Sequence, residues 1–271
     1  MSHPGWEGDS ILDDLAAETE SLLVAVDGLG EGPDGIDTLT PSEPWTVRDQ
    51  ISHLAGFDEK ARVAATDPER FMAAVNDDFA DGGDALMESQ FAQGRGLSPA
   101  GVVGWLREER AALIEAFRAS DPEERIPWYG PPMRTRSSAE ARLMETWAHG
   151  VDVVDALGVV REPTDRLFHV ATLGVKTFRF SFQNRGLEVP DARVRVELTG
   201  PSGDVRTWND ESADLVRGPV EDFCLVVAQR RHLSDTALEV SGPIAASWMT
   251  HAQVFAGPPG PGRPATDRTQ G

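Results

Sequence analysis

The chain has 271 residues, 40% of them hydrophobic, which suffices for one large domain or two modest ones, each with its own core. A formal net charge of −20 excludes general affinity for nucleic acid or anionic lipid, because basic residues occur only in short clusters. The single cysteine, Cys224, excludes a disulfide framework within the chain and a cysteine-rich zinc site.

The amino-terminal residues MSHPGWEGDS lack the basic patch and apolar run of a secretory signal. No apolar run approaches the ~18 residues that a membrane-spanning helix needs. We therefore expect a cytoplasmic protein that spans no membrane.

Amphipathic helices are predicted at the start of the chain. Apolar residues recur at helical spacing from Ser10 to Val26. A second helix is expected after Pro44, because Thr46 and Asp49 have the spacing of a capping box, and it should run to about Ala65.

Two further long helices complete the predicted amino-terminal domain. One begins at Ser98, which is followed by proline at the first helical position. The other runs from about Ser137 to Leu157 and ends at Gly158. The polar residues 70–94, which precede Ser98, predict a short helix plus a mobile excursion, which could form a lid. Four amphipathic helices indicate a bundle over residues 1–160.

After Pro163 the signals are mixed. A helix is predicted from Thr164 to about Phe182, followed by strands in ARVRVELTG and VRTWND. A helix in GPVEDFCLVVAQRRHL, a short strand in TALEVSG and a last helix in GPIAASWMTHAQVF follow. The fold class is therefore α+β, with a small α+β domain over residues 161–256. The Gly- and Pro-rich residues 257–271 are predicted to be disordered.

One pair of polar residues has the spacing of metal ligands. Glu145 and His149 are four residues apart, which places both on one face of a helix. That face also carries Arg142 and Asp152, so a solvated polar face would look much the same. Periodicity likewise leaves His53 open between a core histidine and a ligand. His169, His232 and His251 show no partner pattern.

The segments PWTVRDQISHLAGFD and RLMETWAHGVDVVDALG resemble the two signature segments of the mycothiol-dependent maleylpyruvate isomerase family, which belongs to the DinB-like superfamily of metal-binding four-helix bundles. The resemblance implies that His53, Glu145 and His149 bind zinc or another divalent metal. It also implies a carboxy-terminal domain like that of the isomerases, similar to a sterol-carrier-protein-like domain. The closing stretch resembles an actinobacterial branch of the family.

The predicted ligand set indicates which chemistry is available. Two imidazoles and one carboxylate leave a fourth zinc position open, as in catalytic sites. An open zinc generates hydroxide for hydrolysis or stabilises a thiolate. Asp49 and Asp152 are candidates to orient the imidazoles. Cys224 lies in the apolar run FCLVV and is expected to be buried and inert.

The resemblance favours the thiolate, with mycothiol as the cosubstrate. It also implies an arginine of the carboxy-terminal domain as the group that holds a carboxylate or enolate. Arg230 and Arg231 are the candidates, although surface salt bridges are the commoner role of such residues. We therefore expect a zinc-dependent, mycothiol-using isomerase or thiol transferase acting on a small, unsaturated acid-like electrophile. A metal-dependent hydrolase and a non-catalytic small-molecule-binding module are the alternatives, and no nucleic-acid or membrane partner is expected.

Overall fold

Helices form the amino-terminal part of the chain. The computed structural model describes residues 3–78 and 83–266 and divides the chain into two compact units, Met1–Arg161 and Glu162–Gly271. The described residues of the first unit form α1 (Ile11–Val26), α2 (Val47–Thr66), α3 (Pro68–Asp78), α4 (Asp84–Arg95), α5 (Pro99–Ala119) and α6 (Thr135–Leu157).

The ends of the long helices lie where their capping residues predict. Thr46 and Asp49 form a reciprocal capping box at the start of α2. Ser98 accepts a hydrogen bond from the backbone of Gly101 at the start of α5, and Gly158 ends α6 with a φ of 62°. Helix α2 packs against α5 and α6, and α1 packs against the same two helices, which confirms the predicted bundle.

A buried ionic group joins the four long helices at the centre of the bundle. Arg110 of α5 binds both carboxylate oxygens of Asp58 on α2, at 2.6 and 3.1 Å. The same guanidinium donates to Thr19 of α1 and, at 2.9 Å, to Thr146 of α6. Because burying charge is costly unless it is paired and hydrogen-bonded, this network fixes how the helices pack.

The stretch predicted as a short helix with a mobile excursion is instead two helices, α3 and α4, and residues 79–82 lie outside the described part of the chain. Helix α4 packs against α2, where it buries Leu86, Gln90 and Phe91. The close approach requires glycine at position 56, because a Cβ there would lie 2.5 Å from side-chain carbons of Gln90. The sequence prediction was wrong because it read the polar residues of α4 without its packing partner.

The second unit is α+β, as expected. It contains α7 (Leu167–Lys176), α8 (Phe178–Gln183), α9 (Val220–Val227) and α10 (Pro243–His251), and the strands β3 (Arg195–Thr199), β4 (Val205–Trp208), β5 (Leu215–Pro219) and β6 (Glu239–Ser241). A two-residue pair, β1 (Arg125–Ile126) and β2 (Met133–Arg134), lies in the first unit. The four-stranded sheet has the order β4-β3-β5-β6, with β3 and β5 parallel and the outer pairs antiparallel.

Two parts of the second unit differ from the sequence prediction. The helix predicted over residues 164–182 is divided into α7 and α8. Residues 257–266, within the tail predicted as disordered, form specific contacts: Asn184 donates to the carbonyl of Gly257, and Thr266 donates its backbone N–H to Asp235 at 2.8 Å. Residues 267–271 lie outside the described range. None of the described helices combines the length and apolarity that crossing a membrane requires.

Candidate metal centre

Three potential ligands from two helices meet inside the bundle. His53 lies on α2, and Glu145 and His149 lie one turn apart on α6. One ligand atom of each residue falls within 4.8 Å of the others, and the two imidazole centres are 4.6 Å apart. The structure therefore brings together residues that lie up to 96 positions apart in the sequence (His53 and His149).

The chemistry of these donors fits a divalent metal ion. Two imidazole nitrogens and one carboxylate oxygen suit zinc and related first-row metals, and they leave a coordination position for a further ligand. The Glu145 side chain is 18% exposed and that of His149 is 10% exposed, so the site is sheltered but reachable. His149 Nε2 lies 3.1 Å from Glu145 Oε2, so both groups converge on one point.

A chain of hydrogen bonds fixes the orientation of His149. The Thr40 hydroxyl donates to the carbonyl of Trp45 at 2.8 Å, and it therefore accepts from the Gln50 amide nitrogen at 2.9 Å. The Gln50 oxygen is thereby turned to His149 Nδ1 in a short hydrogen bond. Because this oxygen can only accept, Nδ1 carries a proton, which leaves Nε2 as the ring nitrogen that would bind a metal ion.

Gln50 was not predicted from sequence. Asp49 and Asp152 were the candidates predicted for this role, but the Asp49 carboxylate closes the capping box of α2 and pairs with Arg95 at 3.1 Å. Asp152 is fully buried on α6, and its role in orienting an imidazole stays a prediction. No local signal distinguishes Gln50, because its partner is 99 residues away.

Aromatic rings cover the centre. Trp45 stacks on His149, with ring centres 5.7 Å apart and planes 7° apart, and it also contacts His53 at 5.1 Å. Phe91 of α4 packs edge-on against Trp45 at 4.9 Å, and Phe57 lies 4.7 Å from His53. The polar face of α6, which by its sequence could equally be solvated, packs against these rings and against α2.

Buried charges surround Glu145. Burial alone would raise the pKa of its carboxyl, but the hydrogen bond to His149 and the charge of Arg142 lower that pKa to about 2. Arg142 itself is buried between Glu145 and Asp58, and burial lowers the pKa of its guanidinium. Glu145 is thus an anion at neutral pH, which is the form that binds a metal.

Comparison with known proteins identifies the family of the chain. Residues 7–154, more than half of the chain and the part that contains the metal centre, match the family model described as the mycothiol maleylpyruvate isomerase N-terminal domain. The chain belongs to this family. The resemblance stated from the two sequence segments is therefore confirmed.

Other proteins are similar to this chain over both of its units. Two uncharacterized proteins of Mycobacterium tuberculosis, from strains CDC 1551/Oshkosh and ATCC 25618/H37Rv, are 40% identical over 264 residues, which cover 97% of this chain and 100% of each relative. The crystal structure of the mycothiol-dependent maleylpyruvate isomerase is similar in fold, with a TM-score of 0.56, 16% identity, and coverage of 88% of this chain and 93% of that one. A histidine-to-alanine mutant of that enzyme gives a TM-score of 0.57 at 17% identity, with the same coverage.

The two arginines predicted to hold substrate lie in the carboxy-terminal unit, directly after α9. Gln229 has a φ of 59°, and the backbone N–H of Arg230 bonds to the carbonyl of Leu225 at 2.7 Å, which ends α9 in a Schellman motif. The guanidinium of Arg230 donates to the carbonyl of Ala228, and that of Arg231 donates to the carbonyl of Arg230. Their predicted role in this member of the isomerase family stays a prediction.

Cys224 is excluded as a nucleophile. It is fully buried on α9, its thiol donates to the carbonyl of Leu167 at 3.4 Å, and burial raises the pKa of the thiol well above its usual value. A thiolate is the reactive form, so this side chain is inert in the folded protein, as its apolar neighbours predict.

Proposed function

We propose that this chain is a metal-dependent enzyme that uses mycothiol to isomerise, or to transfer the thiol to, a small unsaturated acid-like electrophile. The observation that carries the proposal is the convergence of His53, Glu145 and His149 inside the segment that matches the isomerase family. The substrate class and the preference for zinc are part of the proposal.

The three ligands would hold one divalent metal, and a metal bound there favours the deprotonated form of a thiol or of water. Glu145 is ionised at neutral pH, and Gln50 orients the His149 ring so that Nε2 points to the centre. Trp45, Phe57 and Phe91 limit the access of water. Because the chain's one cysteine is buried, the attacking thiol must come from a small molecule.

In the proposed isomerisation, the sulfur of mycothiol forms a bond to one carbon of an electron-poor cis double bond, and the π electrons move to the adjacent carbonyl oxygen as an enolate. The former double bond then rotates as a single bond. Return of the electron pair re-forms the double bond in the trans geometry and expels the thiolate, so the thiol is regenerated without net oxidation or reduction. In the transferase variant, the carbon–sulfur bond is retained and the enolate takes up a proton.

The test combines metal analysis with turnover. Purified wild-type protein should contain about one divalent metal per chain and should convert maleylpyruvate only when mycothiol is present. The variants His53→Ala, Glu145→Gln and His149→Ala should lose both the metal and turnover. His232→Ala, which removes an exposed histidine of the other unit, is the matched control and should keep both.

Three results would contradict the proposal. Metal-loaded protein that hydrolyses esters or amides without thiol would indicate the hydrolase instead. Binding of mycothiol without turnover of any electrophile would indicate a binding module. Turnover that persists in all three ligand variants would separate the activity from this centre.

A further inference from the structure

A polar cluster ties the loop between β1 and β2 to two helices of the first unit. Tyr129 lies in that loop and donates its hydroxyl hydrogen to Asp78, the last residue of α3, with 2.7 Å between the oxygens. Lys60 of α2 donates to both oxygens of the same carboxylate, at 2.8 and 3.0 Å. The side chains of Lys60 and Asp78 are only 24% and 14% exposed, so water weakens these charged interactions less than on an open surface. The tyrosine hydroxyl is thereby held at a fixed point.

The same loop places two aromatic rings on helices α2 and α3. Trp128 stacks on Phe71 of α3, with ring centres 5.7 Å apart and planes 8° apart, and the ring of Tyr129 lies 5.1 Å from Phe71. Both loop rings also contact Phe57 of α2, each with 6.2 Å between the ring centres. Aromatic pairs attract each other at centre distances of about 4.5–7 Å. Because Phe71 is buried, the loop rests on a fixed ring and packs against Phe57.

Phe57 connects this loop to the metal centre. Its ring lies 4.7 Å from the imidazole of His53, which is one helical turn earlier on α2. Phe57 is only half-buried, so the hydrophobic core alone does not confine its ring. Its described neighbours include Arg142, at 5.9 Å from the ring centre, and the rings of Trp128 and Tyr129. Because a metal site needs its ligands in fixed orientations, the packing of Phe57 bears on the geometry of the centre.

We propose that Tyr129 is a positioning residue of the metal centre: it holds Phe57 against the His53 imidazole, and Asp78 and Lys60 hold Tyr129 in place. The hydroxyl fixes where the tyrosine ring lies, and the ring fixes where Phe57 lies. The proposal rests on the proposed function for the metal site alone, since it concerns how His53 is presented to a metal ion and not which substrate reacts. Helix α3 and the loop contribute to the centre although neither supplies one of its three ligands.

The experiment compares zinc affinity and the visible absorption spectrum of cobalt-loaded protein in two variants. Tyr129→Phe removes only the hydroxyl, and Tyr129→Leu removes the ring as well. Substitutions along a packed network change the coupling to a distant site by about 2- to 30-fold. Zinc affinity should fall within this range, further in Tyr129→Leu than in Tyr129→Phe. The cobalt absorption bands should shift, because they depend on the geometry of the ligands.

The matched control is Trp6→Phe, which also deletes a single hydrogen-bonding group from an aromatic side chain of the first unit. The indole N–H of Trp6 donates to the carbonyls of Phe117 and Ser120, both at 2.9 Å. The substitution should lower the free energy of unfolding, as Tyr129→Phe does, but it should change neither zinc affinity nor the cobalt spectrum. This comparison separates positioning of a ligand from a general loss of stability.

Wild-type zinc affinity and an unchanged cobalt spectrum in the folded Tyr129 variants overturn the proposal, as does an equal change in Trp6→Phe. If Tyr129→Leu does not fold, Tyr129→Phe decides. Failure of the proposed function has a different signature. Wild-type protein would then bind zinc without converting maleylpyruvate in the presence of mycothiol, and the comparison of the Tyr129 variants would still decide the role of the tyrosine. A wild type that binds no divalent metal overturns both proposals.

Discussion

Replacement of Gln50 by leucine tests whether the hydrogen-bond chain behind His149 controls the metal centre. Gln50 is fully buried, and leucine has a similar volume, so the substitution removes the amide with little change in packing. It deletes the acceptor of His149 Nδ1 and the donor to Thr40. In the variant no hydrogen bond holds the proton of His149 on Nδ1, so nothing selects the imidazole tautomer whose Nε2 can bind a metal.

The expected loss of metal affinity follows from the contribution that the hydrogen-bond partners of metal-binding histidines make in other proteins. Removing the hydrogen-bond partner of a metal-binding histidine costs about 10- to 100-fold in affinity. That factor corresponds to about 1.4–2.7 kcal/mol at 25 °C. The buried N–H of His149 also loses its acceptor, so the free energy of unfolding of the metal-free protein should fall by about 1–3 kcal/mol.

Zinc affinity is measured by competition with a chromophoric chelator at fixed pH, and the unfolding free energy is measured by denaturant titration. Gln253→Leu is the matched control, because this buried glutamine of the carboxy-terminal unit bonds the carbonyls of Phe255 and Gly257. It should lower stability without changing zinc affinity. Wild-type zinc affinity in folded Gln50→Leu would refute the role assigned to the amide.

Three further outcomes are expected. Burial and the hydrogen bond to Asp78 raise the pKa of Tyr129, the only tyrosine of the chain, above its usual value of 10.0, so phenolate absorbance should appear only on unfolding. Because the folded pKa is raised, the stability from this hydrogen bond is present below about pH 10 and is lost as the pH rises further; a normal titration of the folded protein would contradict this. Cys224 should react with a thiol reagent only in denaturant, and reaction in the native state would show that α9 opens. Asp58→Ala should lower the free energy of unfolding by about 3–5 kcal/mol, since it leaves Arg110 buried without its carboxylate; a loss below 1 kcal/mol in denaturant titration would argue against the ionic centre of the bundle.

The long helices of the bundle were predictable because their signals are local. The capping box at Thr46 and Asp49, the serine before Pro99 and the glycine after α6 mark helix ends within a few residues. Strand β5 was missed for the opposite reason. Its five residues include Gly218 and Pro219, and its stability comes from pairing with β3 and β6 rather than from its own sequence.

The metal centre was predictable only in part. Glu145 and His149 have a recognisable spacing, but His53 acquired meaning only through the family resemblance. The polar face of α6 was ambiguous because Arg142 and Asp152 look like solvated residues, whereas in the structure both are buried. Burial of such groups depends on partners from distant helices, and no periodicity within α6 reports those partners.

The absence of a side chain at Gly56 affects more than the contact between α2 and α4. Gln90 fills the space where a methyl group would stand, and the next residue of α4, Phe91, bears on Trp45, which lies over both imidazoles. A methyl group added at position 56 would push α4 away from α2. The packing of the Trp45 indole over the two histidines would then loosen. The shelter of the candidate metal centre thus depends on Gly56, a position of α2 that donates no ligand.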